Sequence, residues 1–251
     1  MAGHSKFANI KHRKAAQDAK RGKVFTKIGK EITIAAKECG GDPNFNAKLR
    51  MVLEKAKSAN MTKDRIEHAI KKGTGEIAGE DYIEIRYEGY GPSGVAFIVD
   101  AVTDNKNRTA GSVRAIFTRA AGELAEPNAV AWNFEKKGLF EASKEGLDED
   151  TIFEKAISAG AEDVQDSVDA WEVICAYEDF ESVKSGLEEA QVQLLKSEVT
   201  MIAKTTIEIT SIDDAKKILA LYDKLDADDD VQEVYANFEF AASVTAILEN
   251  E

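Results

Sequence analysis

The chain has 251 residues, 43% of them apolar, with 33 Lys and Arg against 46 Asp and Glu and a formal charge of −13. That apolar share supports packed cores and excludes a wholly disordered chain, and no run of about 18 apolar residues offers a membrane span. Two distant cysteines, Cys39 and Cys175, exclude a disulfide framework and point to a reducing compartment. The net charge conceals a division: residues 1–75 hold 18 basic and seven acidic residues, a balance of +11, and the remainder holds 15 and 39, a balance of −24. Such asymmetry marks a basic module that meets a polyanion, while the acidic remainder limits indiscriminate binding by repelling phosphate. The start carries charge but no apolar core, so no secretory signal is expected, and the expected location is the cytoplasm.

The first 30 residues contain nine Lys or Arg against one acid, Asp18. Residues 6–21 can be drawn as a helix, but its apolar stripe is thin (Phe7, Ile10 and a few alanines), and Gly22 is expected to break it. Residues 24–37 place Val24, Ile28, Ile32 and Ala36 on one helical face. A turn at Gly40–Pro43 leads to a helix over 45–58 with Phe45, Leu49, Val52, Leu53 and Ala56 inward. Thr62 is the expected N-cap of a third helix, with Ile66, Ala69 and Ile70 apolar and Lys71, Lys72 and Gly73 at its end.

After a short hinge at 71–76 the period changes to that of strands. Ile83, Ile85 and Tyr87 alternate with Glu84, Arg86 and Glu88, a half-buried strand. GYGPSG follows, then the apolar strand 95–103, a helix over 107–121 that turns Ala110, Val113, Ile116, Phe117 and Ala120 inward, and a strand over 129–134. Strand 138–143, helix 148–160, strands 162–165 and 170–177, helix 180–190 and strand 192–202 form a β-α-β-β-α-β series, the ferredoxin-like order. Strand 205–210, helix 211–226 and strand 231–240 then rejoin the sheet begun at 82. The expected fold class is α+β, with a basic helical domain at 1–76, a discontinuous middle α/β domain at 77–135 and 203–251, and an inserted ferredoxin-like domain at 136–202.

The basic arm is the strongest chemical signal. A charged terminus is commonly just solvated, but the cation density, the interleaved His4, Phe7 and His12, and the sign reversal downstream favour nucleic acid. Lys and Arg displace counterions from phosphates, and an aromatic plane stacks on an unpaired base. Gly89–Gly94 matches G-x-G-x-x-G in form, but a strand follows where a dinucleotide site needs a helix, so a hairpin turn is expected. In DNKNRT (104–109), Asn105 or Asn107 caps the next helix; equally, Lys106 and Arg108 beside a helix start form a second anion site, which Arg114 and Arg119 extend. Asp226, Asp228, Asp229 and Asp230 read as a solvated acidic turn, since no glycine or glutamate completes a calcium loop; a metal-dependent nuclease is the competing use of them. The three histidines form no zinc pattern. Trp132 and Trp171 are expected as core or strand residues. No catalytic constellation stands out, and no cofactor, metal or small-molecule substrate is expected.

The opening GHSKFANIKHRKAAQDAKRGKVFTK, with GYGPSGVA, DNKNRT and NFEKKG downstream, resembles the YebC family, which includes the mitochondrial translational activator of cytochrome oxidase. The resemblance spans essentially the whole chain. Phe7 stands where the family pattern usually has Trp, so stacking would survive with less area and an indole N–H hydrogen bond would not. The resemblance implies a three-domain protein without enzymatic activity, cytoplasmic in bacteria. It implies a probable transcriptional regulator that binds DNA, or a translation factor that contacts RNA on the ribosome and relieves stalling at proline-rich stretches. It carries the nucleic-acid role onto His4, Ser5, Lys6, Phe7, Lys11, His12, Arg13, Lys14, Lys20, Arg21, Lys23 and Lys27, and onto Lys106 and Arg108. A protein-interaction adaptor, its acidic domains recruiting the partner, is the other alternative.

Overall fold

A computed structural model of the chain describes residues 17–167 and 169–249. They form an α+β protein organised as two compact units: residues 17–129 with Lys216–Val234, and Val130–Ala215 with residues 235–249.

The first unit opens with three helices. Helix α1 covers Gln17–Cys39 without interruption. The expected break at Gly22 is therefore absent; propensity alone did not stop a helix whose later turns are packed. Ile28, Ile32 and Ala35, spaced four and three, bury one face of α1 against Leu49, Val52 and Ala56 of α2 (Ala47–Ser58) and Ala69 of α3 (Lys63–Gly73). Each large side chain fully buried there contributes about 1.5–3 kcal/mol. Val24, expected on that face, is exposed. Gly40, at φ +86°, ends α1 by donating its N–H to the Ala36 carbonyl at 2.9 Å. The buried Asn46 then serves two helix ends. Its Oδ1 accepts from the Leu49 N–H at 2.9 Å, and its Nδ2 donates to the carbonyls of Ala35 at 2.7 Å and Gly40 at 2.8 Å. Phe45 precedes this cap and is 87% exposed, not inward as expected. Thr62 takes the N-cap position with extended backbone, but its side chain makes no capping bond.

Strands β1 (Ile83–Tyr90) and β2 (Ala96–Thr103) form an antiparallel hairpin around GYGPSG, as expected. A Cβ on Gly91 would lie 2.6 Å from Phe97 and 2.9 Å from Leu221, so this glycine is required by close packing. Burial in β1 departs from simple alternation: Ile83 is exposed, whereas Glu88 is buried and accepts from the Asn128 N–H at 2.8 Å. Helix α4 (Lys106–Arg119) buries Val113 and Phe117, the latter edge-on to Phe97 with centroids 5.9 Å apart. With β3 (Glu123–Ala125) and β9 (Val231–Ala236) the sheet order is β3-β1-β2-β9. Most of helix α7 (Ile212–Asp226) belongs to this unit.

The second unit contains β4 (Phe134–Ser143), α5 (Glu149–Ala159), β5 (Asp163–Asp166), β6 (Ala170–Ala176), α6 (Phe180–Glu189) and β7 (Leu194–Ala203). Its antiparallel sheet has the order β5-β6-β4-β7, which is the ferredoxin-like arrangement. Phe140 stacks on Phe180 at 5.0 Å above this sheet. Trp171 is buried on β6 and donates its Nε1–H to the Leu147 carbonyl at 3.0 Å.

Two expectations about strands are corrected. Residues 129–134 are not a strand: Ala131–Asn133 make a 3₁₀ turn, and Trp132 is 69% exposed. The turn is set by the buried Asn133, whose side chain accepts from the Thr205 N–H at 3.0 Å and donates to the Thr205 carbonyl at 2.9 Å. The stretch 231–240 is not one strand, because it divides at Asn237. Only β9 joins the sheet begun near 82; β10 (Phe238–Phe240) pairs in parallel with β8 (Ile207–Ile209) in a separate two-stranded sheet. Asn237 accounts for the division, its carbonyl accepting from the Ile207 N–H at 2.7 Å and its Nδ2 donating to the Thr205 carbonyl at 3.1 Å. The last described helix, α8 (Ala242–Glu249), was not foreseen.

Candidate nucleic-acid interface

Of the expected contact residues, His4, Ser5, Lys6, Phe7, Lys11, His12, Arg13 and Lys14 lie outside the described residues. Lys20 and Arg21 lie on the first turns of α1. The next cations along this helix, Lys23, Lys27 and Lys30, recur at spacings of four and three and so share a face. All three reach the turn after α7. Lys23 Nζ donates to the Ala227 carbonyl at 2.7 Å and lies 3.6 Å from Asp229. Lys27 Nζ donates to the Asp226 carbonyl at 2.9 Å and to its carboxylate at 3.2 Å. Lys30 Nζ uses its three donors on the Asp230 carboxylate at 2.8 Å, the Asp229 carbonyl at 2.8 Å and the Val102 carbonyl at 3.2 Å.

The acidic turn is thus not the freely solvated loop expected. Asp230 and Lys30 form a buried pair, each side chain 10% exposed. The other oxygen of Asp230 accepts from Arg108 at 2.8 Å, Thr109 at 2.7 Å and Thr103 at 3.2 Å. Burial alone would raise this carboxyl, but the hydrogen bonds from Lys30, Arg108 and Thr109 and the Lys30 charge hold it well below the usual carboxylate range. Asp228 accepts from Ser112. Among the described residues no group of three or more His, Cys, Asp or Glu side chains is arranged to hold a metal ion.

At the start of α4, Asn105 is the cap: its side chain accepts from the Arg108 N–H at 3.1 Å. The Arg108 guanidinium spans Asp104 at 2.7 Å and Asp230 at 2.8 Å, and these bonds keep it firmly charged. Lys106, Arg114 and Arg119 are exposed. Lys23, Lys27 and Arg108 therefore answer acids of their own unit, and Lys106 leaves its ammonium at the surface.

Sequence reading missed a groove of about 460 Å³ between α1 and α3. Phe25 and Tyr82 stand in it, with Arg65, His68 and Lys72 from one face of α3. The Arg65 guanidinium carbon lies 5.4 Å from the Phe25 centroid, and Lys30 Nζ lies 5.6 Å from that of Tyr82. Each of the two aromatic rings thus has a cation within cation–π range. The spacing of Arg65, His68 and Lys72 at three and four was the available signal.

Fold and surface define an α+β protein of a helical N-terminal domain and two further domains, whose described groups offer charge and aromatic planes to a ligand. Residues 5–76 match the model for the TACO1/YebC protein N-terminal domain, and residues 82–238 match that for the TACO1/YebC second and third domain. The chain belongs to the TACO1/YebC family. A protein of Fusobacterium nucleatum named a probable transcriptional regulatory protein is 53% identical over 99% of this chain and 100% of its own length. One of Persephonella marina with the same description is 52% identical over 96% of this chain and 97% of its own. The crystal structure of a conserved hypothetical protein from Aquifex aeolicus has a TM-score of 0.80 at 43% identity, covering 89% of this chain and 92% of that one. Among the described residues no helix is long and apolar enough to cross a membrane.

Proposed function

We propose that this protein is a non-enzymatic regulator of gene expression that acts in the cytoplasm by binding nucleic acid through its basic start, with DNA as the target. The division of charge at residue 75, +11 before and −24 after, carries this reading. Relatives named as transcriptional regulatory proteins support it. The contact surface runs from His4 to Arg21, with Lys106 assisting. Lys23, Lys27 and Arg108 serve it indirectly, by fixing α1 and α4 around the acidic turn. We take the three-domain division at 1–76, 77–135 with 203–251, and 136–202 as the framework that carries this surface. Replacing Lys11, Arg13, Lys14 and Arg21 together with Ala is expected to abolish binding to labelled DNA while leaving the melting curve in place. Wild-type affinity in that variant overturns the reading.

One observation favours a second target, RNA on the ribosome. The groove beside α1 offers aromatic planes, which suit unpaired bases better than a duplex. Crosslinking in cells followed by sequencing separates the two: promoter DNA selects transcription, ribosomal RNA selects translation, and protein capture that survives nuclease selects an adaptor.

A further inference from the structure

We propose that the groove between α1 and α3 receives one unpaired nucleotide of the bound strand, its base against Phe25 and Tyr82 and its phosphate against Arg65 and Lys72. This inference rests on the nucleic-acid reading above and gives that reading a second contact site, beyond the basic start.

Size agrees first: about 460 Å³ falls within the range of about 300–1,000 Å³ typical of small-ligand clefts. The concavity arises because Gly29 of α1 and Ala69 of α3 line it with almost no side chain. The chemistry is selective in two ways. Phe25 and Tyr82 are each half-buried in the lining, so part of each side chain stays accessible beside its cation. A base stacks on such rings, and equally on the plane of Arg65, which already lies over Phe25. A phosphate is taken by the exposed Arg65, and by Lys72 in exchange for Glu80, with which it pairs at 3.3 Å; Lys30 is satisfied by Asp230, and Asp64 is the acid of the lining. A paired base cannot enter, because it is held inside the duplex stack. The groove therefore selects single-stranded segments, loops or ends.

The test is fluorescence anisotropy on the full chain with short labelled probes: unstructured single strands of RNA and of DNA, and a blunt DNA duplex. The variants are Phe25→Leu, which keeps apolar bulk and removes the ring, and Arg65→Glu, which reverses an exposed charge. Each is expected to weaken single-strand binding about tenfold and to change duplex binding less than about twofold. Loss on both single strands assigns recognition to base and phosphate; loss on RNA alone adds the ribose hydroxyl. Wild-type single-strand affinity in the variants overturns the groove while leaving the function intact, and so does an equal loss on single strands and duplex, which would be a charge effect only. No binding of any probe by the wild-type chain overturns both. Melting curves establish that the variants are folded; if Phe25→Leu is not, Arg65→Glu alone carries the test.

Discussion

Asp230 is the residue on which the first unit turns. Its carboxylate receives Lys30 of α1, Arg108 and Thr109 of α4, and Thr103 at the end of β2, so one side chain ties two helices to the sheet. Removing one partner of a buried pair costs more than the pair contributes, because the remaining charge stays desolvated. Asp230→Ala strands the ammonium of Lys30 and is expected to cost about 3–5 kcal/mol, read from denaturant midpoints. The pH dependence has a definite sign. The folded-state carboxyl sits below its unfolded value of about 3.9, so its stabilisation is fully present above about pH 4 and is lost as the pH falls towards the folded value. The variant should therefore lie furthest below wild type near neutrality and converge on it in acid. A constant gap down to the acid limb would show that packing, not charge, is what the mutation removes.

At the scale of elements, α1 shows how packing overrules local preference. Gly22 is destabilising within a helix, yet α1 continues through it because Ile28, Ile32 and Ala35 are anchored in the core. A Cβ at Gly22 would meet nothing within 4 Å. Gly22→Ala is thus expected to raise stability by about 0.5–1 kcal/mol, seen as a higher thermal midpoint with equal or greater helical circular dichroism; a fall in midpoint would contradict the continuous helix. The elements legible in the sequence were those whose own period reports their burial: α2, α3, the apolar β2, and the ferredoxin-like series, whose strand order followed from alternating helices and strands. What stayed hidden depends on partners far along the chain. Apolar alternation shows that 231–240 is extended but not that Asn237 hands it from one sheet to another. Nor does it show that Asn133 bends the chain to serve the backbone of Thr205, 72 residues on. The candidate site divides in the same way. Cation density at the start is a local property and was readable. The partners of Lys23 and Lys27, about 200 residues later in the turn 226–230, have no local signature. The aromatic groove likewise needs Tyr82 to meet a helix pair that ends before it.

For the whole molecule, the charge division acquires a sharper meaning once these pairings are known. At least five of the 18 basic residues in 1–75 are paired with acids of their own unit: Lys23, Lys27 and Lys30 face the acidic turn, Lys55 bridges Glu31 and Glu233, and Lys48 bridges Glu38 and Glu84. The acidic remainder of the chain is in part the internal counterion of its basic start. The proposed phosphate contacts are then the cations before residue 22 together with Arg65 and Lys72 of the groove. If five of them reach the backbone, the logarithm of affinity against the logarithm of salt concentration should slope at about −4.5 on duplex DNA and about −3.5 on a single strand. Lys11→Ala should flatten the duplex slope by about 0.9, the share of one phosphate contact. Lys27→Ala should leave the slope unchanged, because this lysine is already committed to Asp226. Were Lys27→Ala to flatten the slope as Lys11→Ala does, the lysine would have to leave the acidic turn on binding. That turn would then be an internal competitor with phosphate, and the charge balance between the two parts of the chain would set affinity directly.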